Sequence, residues 1–124
     1  MSLVVGCDLV DVADVSASIT EFGDRYLRRV FTDAELARCE GSTRAQRLAA
    51  RFAAKESVIK TLIDSDAATP LHEIEVVMNG PVPGIRLTGS LAAVAERKNW
   101  REPSLSLSHT STHAMATVIA NVGV

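Results

Sequence analysis

The sequence predicts a single α+β domain over residues 1–124, in which antiparallel strands pack with a long helix. Three observations support this prediction. Helical periodicity is concentrated in the first half of the chain, alternating apolar residues dominate the second half, and no repeat or long Pro/Gly linker divides the chain. Helices that cluster early and strands that pair late favour antiparallel hairpins over a doubly wound parallel sheet.

The chain begins with a predicted strand and a predicted helix. "SLVVGC" is a short apolar run typical of a strand, and the strand is expected to end at Asp8. The segment from about Val10 to Phe22 is predicted to be helical because its apolar residues recur at helical spacing. An acidic side chain therefore follows a buried strand directly, which packing alone does not require.

Two further helices are predicted before the middle of the chain. "TDAE", Thr32–Glu35, is a capping-box pattern that begins a short helix, and Gly41 suits its end. Ser42 or Thr43 can cap a long helix that runs to about Ile63.

The second half of the chain is predicted to be mostly strands. "HEIEVVMN" and "IRLTG" read as two strands joined by the loop "GPVPG". "SLAAVAERKN", Ser90–Asn99, is predicted to be a helix with Ser90 as its cap. After Pro103, "SLSLSH" and "MATVIANV" predict two more alternating strands.

Composition limits the classes of function. With 47% hydrophobic and 23% charged residues and no apolar run of membrane-spanning length, we expect a soluble protein without a membrane partner. The N-terminus lacks the pattern of a secretory signal, which favours the cytosol, where Cys7 and Cys39 would be free thiols. A net charge of -2 gives no reason to expect nucleic acid, and the short length favours a homo-oligomer.

The long helix carries charged residues beside its apolar residues. One narrow apolar stripe is expected on it, formed by Leu48, Phe52, Ile59 and Ile63. Glu56 and Lys60 lie along the edge of this stripe and should be half exposed. Their spacing of four residues also fits a modest surface salt bridge, which remains the alternative interpretation.

Asp8, Glu56 and Lys60 form a candidate site for phosphoryl chemistry. Mg²⁺ is commonly held by one or two carboxylates together with substrate phosphates, so Asp8 and Glu56 suffice as metal ligands if the fold brings them together. Lys60 would then face the same phosphates. Asp8 could instead cap the following helix, and His109, which follows a patterned strand, could be a hydrogen-bonded hairpin residue. No pair of histidines has the spacing of a zinc site.

Three motifs together resemble the holo-acyl-carrier-protein synthases, the short bacterial class of 4′-phosphopantetheinyl transferases. "VVGCDLVDV" is similar to the opening Gly-x-Asp motif of that family, "RFAAKESVIK" to its Phe-x-x-Lys-Glu-x-x-x-Lys signature, and "LSLSHTSTHAMATVIA" to its closing Ser-His hairpin. The resemblance covers nearly the whole chain.

The resemblance implies transfer of 4′-phosphopantetheine from coenzyme A to a serine of an apo acyl carrier protein, with Mg²⁺, in a homotrimer with active sites at subunit interfaces. It implies that Asp8 and Glu56 are metal ligands and that these two residues and Lys60 are catalytic. A coenzyme A-binding role is implied for a set of basic residues: Arg51, Lys55, Lys60, Arg86 and His109.

Two departures from the family pattern bear on ligands. The loop "NGPVPGIRLTG" lacks the family's lysine before the second hairpin strand, and Arg86 is its candidate substitute. The helix after the first motif, which is commonly basic in the family, is acidic here. Like charges disfavour association, so a strongly acidic carrier should dock poorly on this helix. The sequence therefore predicts a less acidic carrier, or docking through the basic residues that follow: Arg25, Arg28 and Arg29.

The same departures leave one rival interpretation from a different class. A non-catalytic trimeric relative would bind coenzyme A or a carrier domain without transferring anything. The presence of all three residues Asp8, Glu56 and Lys60 favours an active transferase over this rival.

Overall fold

The computed structural model describes residues 2–63 and 69–123. The first half of the chain forms one strand and four helices: β1 (Ser2–Asp11), α1 (Val12–Phe22), α2 (Asp24–Val30), α3 (Asp33–Arg38) and α4 (Arg44–Leu62). The second half forms a 3₁₀ turn (Leu71–Glu73), β2 (Ile74–Asn79), β3 (Val82–Leu87), α5 (Gly89–Arg97), β4 (Arg101–His109) and β5 (His113–Val122). The predicted α+β class is confirmed.

The strands form two antiparallel sheets. One sheet has three strands in the order β1-β5-β4, and the other is the β2–β3 hairpin. Helix α4 packs across β1 and β5. In the larger sheet Ala116 of β5 lies between Asp8 of β1 and Leu107 of β4. Because side chains alternate along a strand, Asp8 points to the same side as the buried Ala116, toward α4.

Helix α4 approaches β1 very closely at Gly6. A Cβ atom built on Gly6 would lie 2.0 Å from the carbonyl oxygen of Ser57, so only glycine fits here. The Ser57 hydroxyl donates to the carbonyl oxygens of Ala53 and Ala116, at 2.7 and 3.1 Å, and so ties the helix to β5. This close packing brings the segment that follows Gly6 against the middle of α4.

The narrow apolar stripe predicted for α4 is wrong. Phe52, Ile59 and Ile63 are only partly buried, whereas the small residues of the helix are fully or almost fully buried: Ala49, Ala50, Ala53, Ala54 and Ser57. The helix lies between the sheet and the other helices and is covered on most of its circumference. Small side chains permit this because they allow backbones to approach one another.

Several predicted boundaries also need correction. Helix α2 was not predicted, since its seven residues are too few for a clear periodic pattern. Strand β3 begins at Val82, inside the predicted loop, and β1 continues past Asp8 to Asp11. Ser90 does not cap α5; it lies inside the helix, and its hydroxyl donates to the Glu73 carboxylate at 2.7 Å.

Thr32 and Glu35 form the predicted capping box at the start of α3, but α3 ends at Arg38 with Cys39 as its C-cap residue, so the end predicted at Gly41 is wrong. Thr43 is at the N-cap position of α4, as predicted, but its side chain makes no capping hydrogen bond. Cys7 and Cys39 are free thiols, as expected. Among the described residues, no helix combines the length and apolar character needed to span a bilayer.

Candidate active site

Strand β1 and helix α4 bring Asp8 and Lys60 together. The Lys60 ammonium group donates to Asp8 Oδ1 at 3.1 Å and to the carbonyl oxygen of Cys7 at 2.8 Å. The Lys60 side chain is 53% exposed and that of Asp8 is 19% exposed. The Lys60 ammonium group is thus held by two acceptors, while part of the side chain remains open to solvent or a ligand.

Glu56 lies one helical turn before Lys60 and lines the same cleft as Asp8. Burial raises the pKa of Glu56, the neighbouring Asp8 carboxylate raises it further, and Lys60 partly offsets both effects. The two carboxylates therefore repel each other when both are ionised.

The alternative interpretations of these residues do not hold. Within the described part of the chain, the ion pair of Lys60 is with Asp8 across to β1, not with Glu56 along the helix. Asp8 does not cap a helix, because it lies inside β1 and the N-cap residue of α1 is Asp11. His109 is exposed at the end of β4, where it pairs with Ala114 of β5, and its side chain makes no hydrogen bond to another described residue.

The cleft has a volume of about 450 Å³, and its charged lining residues are all acidic. Its polar lining is Asp8, Asp11, Asp14, Ser18 and Glu56, and its aromatic lining is Tyr26 and Phe52. Sequence reasoning missed Tyr26 and Phe52, since α2 had not been predicted and Phe52 had been assigned to the apolar stripe.

The carboxylates of the cleft fit a divalent cation whose remaining ligands come from a substrate. No group of three or more Asp, Glu, His or Cys residues that could enclose a metal occurs among residues 2–63 and 69–123. The cleft instead holds two carboxylates that repel each other and is open to solvent. This matches the way Mg²⁺ is often bound, with one or two carboxylates and with phosphates and water as its other ligands.

The structure corrects the prediction for Lys55. Its side chain is fully buried, and its ammonium group donates to Glu35 Oε1 at 2.8 Å, to the Leu71 carbonyl at 3.2 Å and to the Ile74 carbonyl. All three N–H donors are therefore used inside the protein. Lys55 cannot contact coenzyme A in this arrangement, because it lies on a face of α4 that is buried inside the protein.

Glu35 and Glu75 are the residues that complete this interior cluster. Glu35 Oε2 accepts from the Val76 amide at 2.9 Å, and Glu35 Oε1 also accepts from the Thr32 amide. Glu75 accepts from the Thr32 hydroxyl at 2.6 Å and pairs with Arg86. Burial lowers the pKa of Lys55, and Glu35 and then Glu75 counteract that effect. The capping-box pattern identified Glu35 as a helix-start residue but gave no sign of its partner.

The remaining predicted ligand contacts lie outside the cleft. As far as the described residues go, neither Arg51, Arg86 nor His109 lines it. Arg51 is 5% exposed, one of its terminal nitrogens reaches the Arg47 carbonyl at 3.4 Å, and its Nε has no hydrogen-bond partner within the described chain. Arg86 keeps a largely exposed side chain beside Glu75.

Comparison with known proteins identifies the family. The family model of the 4′-phosphopantetheinyl transferase superfamily matches residues 4–118. The holo-[acyl-carrier-protein] synthase of Koribacter versatilis is 41% identical over 96% of this chain and 98% of its own length. That of Desulforudis audaxviator is 42% identical over 97% of this chain and 93% of its own length. The chain belongs to the 4′-phosphopantetheinyl transferase superfamily, as its motifs predicted.

Solved structures agree with this assignment. The ACPS–CoA complex of Chronobacterium ammoniagenes superposes with a TM-score of 0.86 at 27% identity and covers all of both chains. The acyl carrier protein synthase of Mycobacterium tuberculosis gives a TM-score of 0.73 at 33% identity over 98% of this chain and all of the other. Within the superfamily, the chain is of the holo-acyl-carrier-protein synthase type.

Proposed function

We propose that the protein transfers 4′-phosphopantetheine from coenzyme A to a serine of an apo acyl carrier protein. The serine oxygen forms a bond to the phosphorus next to pantetheine, and the bridging P–O bond to the nucleotide breaks, which releases adenosine 3′,5′-bisphosphate. The proposal rests on one observation above all: in a chain of this family, two carboxylates line one cleft and a half-exposed lysine is paired with one of them.

Asp8 and Glu56 are the residues that would hold Mg²⁺. When bound, Mg²⁺ neutralises charge on the diphosphate oxygens and orients them. Glu56 has a second role, since its carboxylate lies in the cleft where the serine hydroxyl must enter. It orients the serine hydroxyl and accepts its proton, directly or through a water molecule.

Lys60 stabilises the leaving group. Its ammonium group is anchored on the Cys7 carbonyl and Asp8 Oδ1 and keeps one further N–H donor for an anion. Negative charge accumulates on the bridging oxygen as the P–O bond breaks. A fixed ammonium group beside that oxygen lowers the energy of the transition state more than that of the bound substrate.

The exposed face of the larger sheet supports a trimer. Its apolar side chains are between 39% and 68% exposed, namely Leu3, Val5, Leu9, Met115 and Ile119. Val5 pairs with Ile119 and Leu9 with Met115 across β1 and β5, so these side chains form one apolar patch. Leu9 also lines the cleft of Asp8 and Glu56. A subunit that covers this patch would therefore complete the wall of the cleft.

The basic residues outside the cleft fit this assembly. Arg51 is a buried cation with an unpartnered N–H, which is costly unless an anion approaches it. Arg51, Arg86 and His109 of one subunit can then contact the phosphates or the nucleotide of a coenzyme A molecule whose diphosphate lies at the cleft of a neighbouring subunit. We place the reaction in the cytosol, where coenzyme A and carrier proteins are available.

Intact mass spectrometry of an apo acyl carrier protein tests the proposal. After incubation with the protein, coenzyme A and Mg²⁺, the carrier should gain the mass of one phosphopantetheine group. The gain should disappear when EDTA replaces Mg²⁺ and in a Glu56→Ala variant. Binding of coenzyme A with no mass gain on any carrier would instead support the non-catalytic relative.

A further inference from the structure

The acidic wall of the cleft continues along α1. Asp14 and Ser18 line the cleft together with Asp8 and Glu56, and Glu21 follows on the next turn. Asp14 and Glu21 are exposed, and no described residue forms an ion pair with either. A macromolecule that brings a serine to this cleft therefore meets uncompensated negative charge beside the reacting groups.

A second cleft of about 260 Å³ adjoins the first and has the opposite character. It is lined by Phe22, Arg25, Tyr26 and Arg29, and Tyr26 lines both clefts. Phe22 is 53% exposed although it is a large apolar residue. Arg28 pairs with Asp33 at 3.6 Å, whereas Arg25 and Arg29 have no carboxylate partner among the described residues. This cleft offers an apolar contact flanked by two available cations.

One face of α1 leads from the first cleft to the second, which α2 completes. Asp14, Ser18 and Phe22 are spaced by four residues and therefore share a side of α1. The eight steps from Asp14 to Phe22 correspond to about 12 Å along the helix axis. We call five residues the docking face, of which Ser18 is half-buried and the others are exposed: Asp14, Ser18, Phe22, Arg25 and Arg29. It is negative next to the reacting groups, apolar about 12 Å along α1 at Phe22, and positive beyond Phe22, on α2.

We infer that the docking face binds the carrier protein, and that it selects a carrier with a basic side chain beside its reactive serine and acidic side chains at the other end of the contact, opposite Arg25 and Arg29. The inference rests on the proposed function, because the carrier serine must reach Asp8 and Glu56. Opposite charges at both ends steer and orient the carrier, and Phe22 supplies the apolar anchor. A carrier that is acidic throughout is repelled by Asp14 at the point where its serine must enter.

Two versions of one apo acyl carrier protein test this selection. They differ only at the exposed position nearest the reactive serine, which carries Glu in one version and Lys in the other. With the parent enzyme, kcat/KM should be about tenfold higher for the Lys version, which corresponds to about 1.4 kcal/mol. An Asp14→Lys variant should reverse the preference.

A Glu96→Lys variant is the matched control. Glu96 is exposed on α5, outside the docking face, and its substitution changes the net charge by the same amount. This variant should keep the preference of the parent enzyme. At the other end of the docking face, an Arg25→Glu, Arg29→Glu double variant should raise KM for both carriers with little change in their ratio.

The possible results separate the inference from the proposed function. If the parent enzyme modifies both carriers with equal kcat/KM, or if Asp14→Lys leaves their ratio unchanged, the docking inference is wrong while the transferase activity stands. If neither carrier is modified even at saturating concentration, the proposed function itself fails. A preference that reverses in Asp14→Lys and persists in Glu96→Lys supports the docking face.

Discussion

Helix α4 contributes one lysine to each of two charged clusters, which differ in burial and in the number of hydrogen-bond donors left free. Lys55 is fully buried and donates all its N–H groups to Glu35 and two backbone carbonyls. Lys60, five residues later, is 53% exposed and pairs with Asp8, which lines a cleft together with Glu56. The interior cluster is closed, and the cleft cluster is open.

The difference shows how burial decides what a charged residue can do. A buried ion pair offsets its desolvation only when every hydrogen-bonding group is satisfied, and a satisfied cluster has nothing left to offer a ligand. Lys60 is close to two carboxylates, those of Asp8 and Glu56, so when these three groups are ionised one negative charge among them remains uncompensated. The open cluster can therefore bind a cation and a phosphate, whereas the closed cluster fixes the position of α4 relative to α3 and β2.

The largest expected effect on the closed cluster is on stability. Lys55→Met removes the cation and leaves Glu35 as an unpaired buried carboxylate. We expect the free energy of unfolding to fall by about 3–5 kcal/mol, measured by urea denaturation. Lys60→Met is the control and should change it by at most about 1 kcal/mol, since that lysine is half exposed. Equal midpoints for Lys55→Met and the parent would contradict the structural role.

The open cluster should respond in the opposite way. Lys60→Met should lower kcat for phosphopantetheine transfer by about 10²–10³, because it removes a fixed charge from the leaving oxygen. The measurement is the rate of carrier modification at saturating substrates. Arg97→Met, which removes a cation from the exposed side of α5, should transfer at the parent rate. A comparable loss in both variants would point to a general effect of charge.

The apolar sheet face offers a test of assembly. Val5→Asp places a charge in the patch that we propose to be covered, and association should weaken by at least about tenfold. Val82→Asp is a matched control, because both valines are 61% exposed but Val82 lies on β3. Analytical ultracentrifugation should find a trimer in Val82→Asp and smaller species in Val5→Asp. If Val5→Asp remains a trimer of unchanged stability, another surface forms the interface.

The smallest expected effect is a pH-dependent change in thermal stability without metal or coenzyme A. The pKa of Glu56 is raised in the folded protein, so its contribution to stability is fully present below the ordinary glutamate pKa and is lost as pH rises through the folded value. Glu56→Gln should therefore raise the melting temperature by a few degrees at pH 8 and have little effect at pH 4. Glu40→Gln, on an exposed residue, should show no such difference. If Glu56→Gln raised the melting temperature equally at both pH values, the proposed charge repulsion would be contradicted.

The open cluster could be predicted from sequence, and the closed one could not. Glu56 and Lys60 are related by helical spacing, and Asp8 is the first charged residue after an apolar run, so local patterns identify all three even though Asp8 lies inside β1. Lys55 belongs to the same signature, but its partner Glu35 lies 20 residues away, and only the packing of α3 on α4 shows that the lysine points inward. The need for glycine at position 6 could not be predicted from sequence either, because it depends on the close approach of the Ser57 carbonyl group.

The most direct test compares one isosteric substitution in each cluster. Glu56→Gln and Glu35→Gln remove the same charge, and single-turnover transfer to an apo carrier should be measured at a temperature at which circular dichroism finds both variants folded. The two-cluster account predicts at least about a hundredfold loss in Glu56→Gln and less than about a threefold loss in Glu35→Gln. Transfer at the parent rate by Glu56→Gln would contradict it.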